Sequence, residues 1–383
     1  MPWKETRVMD QKIKMVSDWL SGEYNISELS RIYSVSRKTL YKWIGRYELD
    51  PDNGLQERLR IPIRMPRSTP ADIVIHILKC KSRHKHWGAR KILAWLECHQ
   101  PEGNWPAAST TNEILKRHNL VHPRKKRHHT PPYTEPFLKS NRPNDVWSAD
   151  YKGQFRIGTG ELCYPLTLSD SFSRYLLGCW GLAHPAYLPT RSNFERAFQE
   201  YGLPVAIRTD NGAPFASVGI GGLSRLAVWF IRLGIYPERI EKSHPEQNGR
   251  HERMHRTLKA EAIGPPRKSL LEQQRAFDRF RISYNEDRPH EALNQKTPAS
   301  FYRRSERNYP ARLPDVDYPA TYYPRFIMPN GCFKWHGTEI YLSQALAGEY
   351  IGFMPIETGI WKIYYSFYPL GLFDERIFKV NQR

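Results

Sequence analysis

The sequence predicts a multidomain α+β chain: N-terminal helical modules, an α/β core built on a mixed sheet, and a small C-terminal β-barrel. Three observations carry this expectation. Apolar residues recur at helical spacing through roughly the first 120 residues. From residue 145 the character changes to short apolar runs separated by glycine turns, then to alternating strand and helix. After Pro298 the runs become β-rich and alternating, with an Asn330-Gly331 hairpin signal. A length of 383 residues suits several domains better than one core.

In the first module, Met9, Ile13, Val16 and Leu20 share one helical face, and Ile26, Leu29 and Ile32 follow, with Ser27 as the expected N-cap. After the Ser34-Val35 turn, Ser36 caps a third helix that turns Leu40, Trp43, Ile44 and Tyr47 inward. Its outward face carries Arg37, Lys38, Thr39 and Lys42. A short helix, a tight turn and a basic helix predict a helix-turn-helix over residues 1–50, the last helix entering a DNA major groove. Residues 51–67, with three prolines, read as a linker. A second helix-turn-helix is expected over 68–122, from the stripes Ile73, Val74, Ile77, Leu78 and Ile92, Leu93, Leu96. There Thr110 and Glu113 have capping-box spacing, and Ser109–His118 is the expected recognition helix. The basic connector 123–140 includes Arg124, Lys125, Lys126 and Arg127, a solvated linker or a DNA-tracking arm. Cys80, His84, His86, Cys98 and His99 cluster in sequence, but their spacing matches no standard zinc finger.

Composition narrows the partners. The net charge is +19, and residues 1–149 hold 27 Lys/Arg against 15 Asp/Glu. So basic a surface attracts polyanions, and nucleic acid is the expected partner, double-stranded DNA if the helix-turn-helix reading holds. No apolar run of about 18 residues is present, so no membrane span is expected. The N-terminus lacks the apolar core of a secretory signal, and five cysteines without a CxxC pair fit a reducing cytoplasm. A cytoplasmic, nucleoid-associated protein is the expectation.

Within the core, expected at 141–305, the strands Val146–Phe155, Cys163–Leu168 and Tyr175–Trp180 precede a helix from about Arg191 to Tyr201 and the strand Val205–Thr209. A long helix follows Gly249, and another lies around 269–285. Three carboxylates sit at element ends. Asp150 lies in V-W-S-A-D-Y-K-G, inside a strand that reads as buried; Asp210 opens the D-N-G turn; Glu252 stands one turn into a helix in N-G-R-H-E-R. A carboxylate in a core strand costs several kcal/mol unless paired or metal-bound. The sequence beside Asp150 offers only Lys152. Three converging carboxylates repel, and divalent cations are the natural remedy. On the helix of Glu252, Arg256 and Lys259 share its face and suit phosphate contacts. Asn211 and Gly212 are supporting residues, Gly212 for a sharp turn. His244 and His251 are candidates for groups around the ligands, and Asp170 for a turn cap.

The blocks W-x-x-D-Y-x-G, T-D-N-G-x-x-F, N-G-x-x-E-R-x-x-R-T-L-K and Y-N-x-x-R-P-H-x-A-L-x-x-x-T-P stand in that order. Together they resemble the DDE transposase and retroviral integrase superfamily, most closely bacterial insertion-sequence transposases with an integrase core. The resemblance implies an RNase H-like core, with the first Asp on the first strand, the second after the fourth and the Glu on a helix. It implies a catalytic and metal-binding set Asp150, Asp210 and Glu252, with two Mg²⁺ or Mn²⁺ ions about 4 Å apart. It also implies DNA cleavage followed by strand transfer, and a homo-oligomer on paired element ends. Glu246 rivals Glu252, because 35 residues separate it from Asp210, against 41 for Glu252. The family motif sets the Glu three residues after Gly249, which selects Glu252. A structure-specific nuclease and a catalytically inactive DNA-binding regulator are the alternatives.

Overall fold

A computed structural model describes residues 7–57, 68–121, 137–217, 219–240 and 249–381. The chain divides into two compact units, 1–68 and 69–383. The connector Arg124–Arg127, His244 and Glu246 lie outside the described residues.

The first unit holds α1 (Val8–Leu20), α2 (Ile26–Ile32) and α3 (Arg37–Leu49) around Met15, Val16, Leu29, Leu40, Trp43 and Ile44. Ser36 caps α3 as expected, its Oγ accepting from Thr39 N at 3.2 Å. The face of α1 differs from the expected one. Of Met9, Ile13, Val16 and Leu20, only Val16 is buried. The inward stripe is Lys12, Met15 and Val16, because the Lys12 stem lies along the Trp43 ring, its Nζ 3.5 Å from the centroid, while the ammonium reaches Glu57 at 2.8 Å. Nor is Ser27 the cap of α2. Asn25 accepts from Ser27 N and Glu28 N, and Glu28 answers by accepting from Asn25 N.

The second unit opens with α4 (Ala71–Arg83), α5 (Ala89–His99) and α6 (Ala108–Arg117), packed on Ile77, Trp87, Ile92, Leu96 and Leu115. Thr110 and Glu113 form no capping box: α6 begins earlier, at Ala108, and Glu113 pairs instead with Lys116 at 2.6 Å. His84 stacks on Trp87 and His99 on Trp95, with centroids 3.7 and 4.0 Å apart, while Cys80 is buried in the core. Aromatic packing thus accounts for residues that suggested zinc.

The core sheet comprises β1 (Val146–Tyr151), β2 (Phe155–Arg156), β3 (Leu162–Asp170), β4 (Leu176–Leu182), β5 (Ala206–Thr209) and β6 (Tyr236–Arg239). β3 pairs antiparallel with β1, β2 and β4; on the other side β1, β5 and β6 run parallel. This is the mixed sheet expected, with the first carboxylate on the central strand. α7 (Tyr187–Tyr201) starts a turn earlier than expected, and α8 (Arg225–Arg232) was not foreseen. Its buried residues form one continuous apolar run, Leu226–Ile231, short enough to read equally as a strand. On the other face of the sheet lie α9 (Gly249–Leu258), continued by a π-helical turn Lys259–Ile263, and α10 (Leu270–Ile282).

The C-terminal strands β7 (Tyr323–Phe326), β8 (Cys332–Trp335), β9 (Thr338–Tyr341), β10 (Tyr350–Glu357), β11 (Ile360–Tyr365), β12 (Tyr368–Asp374) and β13 (Lys379–Asn381) do not close into the expected barrel. Five form an open sheet, β13-β12-β11-β10-β7, and β8-β9 stand apart as a hairpin. Closure is unnecessary because Phe333 and Trp335 of the hairpin, with Val228 and Ile231 of α8, cover the apolar face around Phe353 and Phe373. The Asn330-Gly331 turn forms, Met328 N donating to Cys332 O at 2.8 Å, but it does not join paired strands. β8 pairs with β9 instead, across His336-Gly337, whose φ values of 46° and 86° suit a tight hairpin.

Candidate active site

The site grows from strand alternation. Trp147 and Ala149 of β1 point into the core beneath α7 and α8, which sends Ser148 and Asp150 to the opposite face, under α9. Asp150 faces Thr167 across the β1–β3 ladder. On the other flank, β1 and β5 pair in parallel with Val146 against Ala206 and Ser148 against Arg208. Extended by two residues, that register brings Asp150 level with Asp210, at the C-terminal ends of neighbouring parallel strands, where α/β sheets bind ligands.

Thr167 is fully buried and serves as a hub. Its hydroxyl donates to the Asp150 carbonyl at 3.0 Å, and lies 2.6 Å from His251 Nε2 and 2.8 Å from His255 Nε2. One hydroxyl has one proton, so both imidazoles donate through Nε2–H and keep Nδ1 as an acceptor. Burial pushes the His251 pKa down to about 3, and burial with the neighbouring His251 pushes that of His255 to about 2. Both rings are therefore neutral. His255 Nδ1 then faces Asp150 Oδ2 at 3.8 Å, two acceptors opposed in a site where Asp150 is only 16% exposed. Such an apposition favours a cation. Among the described residues, Asp150, His251 and His255 are the group whose ligand atoms lie within 4.8 Å of one another. Asp210 and Glu252 are not part of that group.

Asp210 sits at the rim, its pKa raised by burial and only partly lowered by the Gly212 N–H, which donates to Oδ1 at 3.1 Å. A half-buried carboxylate answered by one amide is a fitting ligand for a divalent ion. Gly212 serves by close approach: a Cβ there would meet Asp210 Oδ2 at 3.0 Å. Asn211 turns away and donates to Ile240 O at 2.7 Å. Gly249 opens α9, where a Cβ would meet nothing within 4 Å. Glu252 is exposed on α9, between the buried His251 and His255, with Arg256 and Lys259 exposed beyond it. In the first unit Arg37, Lys38 and Lys42 are exposed on α3 and Thr39 is half-buried. Asp170, buried, accepts from Ser173 N, Ser173 Oγ and Asn144 N, the turn cap expected of it.

His255 and Thr167 escaped the sequence reading. The signal for the first was the i, i+4 pair His251 and His255 bracketing Glu252; Thr167 carried none. Replacing Thr167 by Val should cost about 1–3 kcal/mol for each imidazole donor left without an acceptor. Chemical denaturation reads that loss, Thr167→Ser should restore it, and a Val variant as stable as the parent would remove Thr167 from this role.

The integrase core domain family matches residues 233–298 in one segment and 140–245 in another, and a helix-turn-helix domain family matches residues 11–56. An insertion element IS407 protein of Burkholderia multivorans, described as an uncharacterized 31.7 kDa protein, is 29% identical over 60% of this chain and 80% of its own length. An insertion element IS476 protein of Xanthomonas euvesicatoria, an uncharacterized 39.2 kDa protein, is 26% identical over 63% of this chain and 69% of its own. The HTLV-2 integrase catalytic core covers 43% of this chain at 18% identity, with a TM-score of 0.35. The matches to an integrase core and to a helix-turn-helix domain support a DNA-binding protein of the polynucleotidyl-transferase type. Over residues 140–298 the chain is similar to the integrase core, and over most of its length to proteins of bacterial insertion elements. No helix among the described residues is long and apolar enough to cross a membrane.

Proposed function

We propose that the chain cuts DNA at the ends of a mobile element and joins the freed 3′-OH to target DNA, with Asp150, Asp210 and Glu252 as the catalytic, metal-holding set. The observation that supports this most is the parallel β1–β5 register, which, extended, sets Asp150 level with Asp210 just past the end of β5, with α9 held beside Asp150 through His255 and Thr167. Glu252 stands three residues before His255 on α9, so it is a helical neighbour of the residue that faces Asp150.

Two Mg²⁺ or Mn²⁺ ions held by the three carboxylates would activate the attacking oxygen, stabilise the leaving oxygen and hold both in line. The chain's own residues do the rest. Thr167, His251 and His255 orient Asp150, and the Gly212 amide holds Asp210. Arg256 and Lys259 draw phosphates to the rim, while Arg37, Lys38, Thr39 and Lys42 read the element end in the major groove. Arg124, Lys125, Lys126 and Arg127 add further contacts to the DNA backbone. In each step one phosphorus–oxygen bond forms as another breaks, so no covalent protein intermediate is required. Joining two ends at once calls for a homo-oligomer on DNA, working on the bacterial nucleoid in the cytoplasm.

The test is a reaction of purified chain, Mg²⁺, pre-cut duplexes carrying the element's own ends, and a supercoiled plasmid. Joined products are expected. Plasmid cutting without joining would make the chain a nuclease, and binding without any chemistry would make it a regulator.

A further inference from the structure

A cleft of about 770 Å³ lies inside the second unit, between the helical module α4–α6 and the core. One wall is the start of α5 and α6; the other is α9 and the segment after α10. Arg90, Lys91, Arg174, Arg253, Arg256 and Arg288 line it, and Glu291 is the one carboxylate on the lining. Glu291 is already answered by Arg90 at 3.1 Å. Arg288 is paired with Glu261 as well, and the remaining excess of positive charge along the cleft suits a polyanion. The first turns of α5 and α6 also face the cleft, and neither helix has a side-chain cap, so their amide donors add to the positive field.

The inner end points at the chemistry. Arg174, Met254 and Tyr284 line both this cleft and a small adjoining cavity bounded by Ser148, Ser169 and His251. Arg256 belongs to the cleft and lies one helical turn from Glu252. The volume is that of a small-molecule pocket, far short of what a duplex needs. It suits a sugar-phosphate backbone with few bases, and the half-buried His290, edge-on to Tyr284 with centroids 4.7 Å apart, gives an aromatic wall.

We propose that this cleft binds a single DNA strand and leads it to the rim of the Asp150 site, so that the second helical module contributes a wall of the substrate channel. The proposal takes from the functional reading only that the ligand is nucleic acid. An exposed ion pair, Arg90 with Glu291, bridges module and core at this cleft.

The probe is a labelled single strand of about 16 nucleotides, followed by anisotropy with the full chain in EDTA, so that catalysis plays no part. The double variant Lys91→Ala, Arg253→Ala removes one cation from each wall. Single-strand affinity should fall at least about 10-fold, and the slope of log K against log salt should flatten by about 1.4, as for two lost phosphate contacts. Affinity for a blunt duplex of the same length should change by less than about twofold. The charge-keeping pair Lys91→Arg, Arg253→Lys should restore both quantities, which separates lost charge from misfolding. An unchanged slope overturns the proposal, and so does an equal loss for single strand and duplex. Either outcome leaves the strand-transfer assay, run with metal and pre-cut ends, to stand or fall by itself.

Discussion

Asp150→Asn is expected to lower strand transfer by at least about 10³-fold, because ions held there as proposed would contribute several kcal/mol of transition-state stabilisation and each 1.36 kcal/mol is a factor of ten. DNA affinity should stay within about twofold, since the basic surfaces are untouched. Stability should hold or rise. The amide removes a charge held at 16% exposure and replaces an acceptor facing His255 Nδ1 at 3.8 Å with a donor. Loss of chemistry with retained binding and an unchanged or higher melting temperature is the signature of a catalytic carboxylate. A melting temperature that fell along with activity would instead make Asp150 structural. Asp210→Asn and Glu252→Gln should repeat the pattern. Glu246→Gln should leave activity near the parent's, and an inactive Glu246 variant beside an active Glu252 one would reverse that assignment.

The largest effect on stability is expected three residues upstream. Trp147 is fully buried on β1, its ring centroid 5.9 Å from that of Phe198, and its Nε1 donates to Asn144 Oδ1 at 3.0 Å. The same oxygen accepts from Tyr302 at 3.0 Å, tying the start of β1 to the segment after the core. Trp147→Ala should therefore cost about 3–5 kcal/mol, from lost transfer energy and the cavity left behind. The loss belongs to the second unit, so the helical transition of the first should keep its midpoint. Trp147→Phe should cost less, because the cavity is smaller although the hydrogen bond is gone. Urea denaturation followed by tryptophan fluorescence and by helical signal checks both. A near-normal Ala variant would mean that the sheet does not depend on this contact.

The same strand shows how far the sequence carries. The placement of Asp150 on the first core strand, of Asp210 after the strand 206–209 and of Glu252 in the first turn of a helix was legible from the apolar runs and turns around them. The helix-turn-helix was legible from Ser36 and the Leu40, Trp43, Ile44 face of α3. The inward face of α1 was not, because the set Met9, Ile13, Val16, Leu20 is as periodic as Lys12, Met15, Val16. The choice fell to Trp43, on another helix, which the Lys12 stem covers. α8 was hidden because its apolar residues, Leu226–Ile231, form one short unbroken run that serves the core sheet and the C-terminal sheet at once. That double service also decided the fate of the barrel. Alternating strands were correctly read, yet whether a sheet closes depends on what covers its apolar face.

By itself, then, the sequence determined local matters: which element each carboxylate stands on, the Ser36 cap, which helices are basic, and which strands alternate. Only the tertiary structure decided the choices that need a distant partner. Thr167 lies 88 residues from His255, and their contact fixes which imidazole nitrogen faces Asp150. The cleft between α5, α6 and α9 joins cations from Arg90 to Arg288 that no local pattern connects. Both depend on burial and on fields summed over space, and neither has a period along the chain.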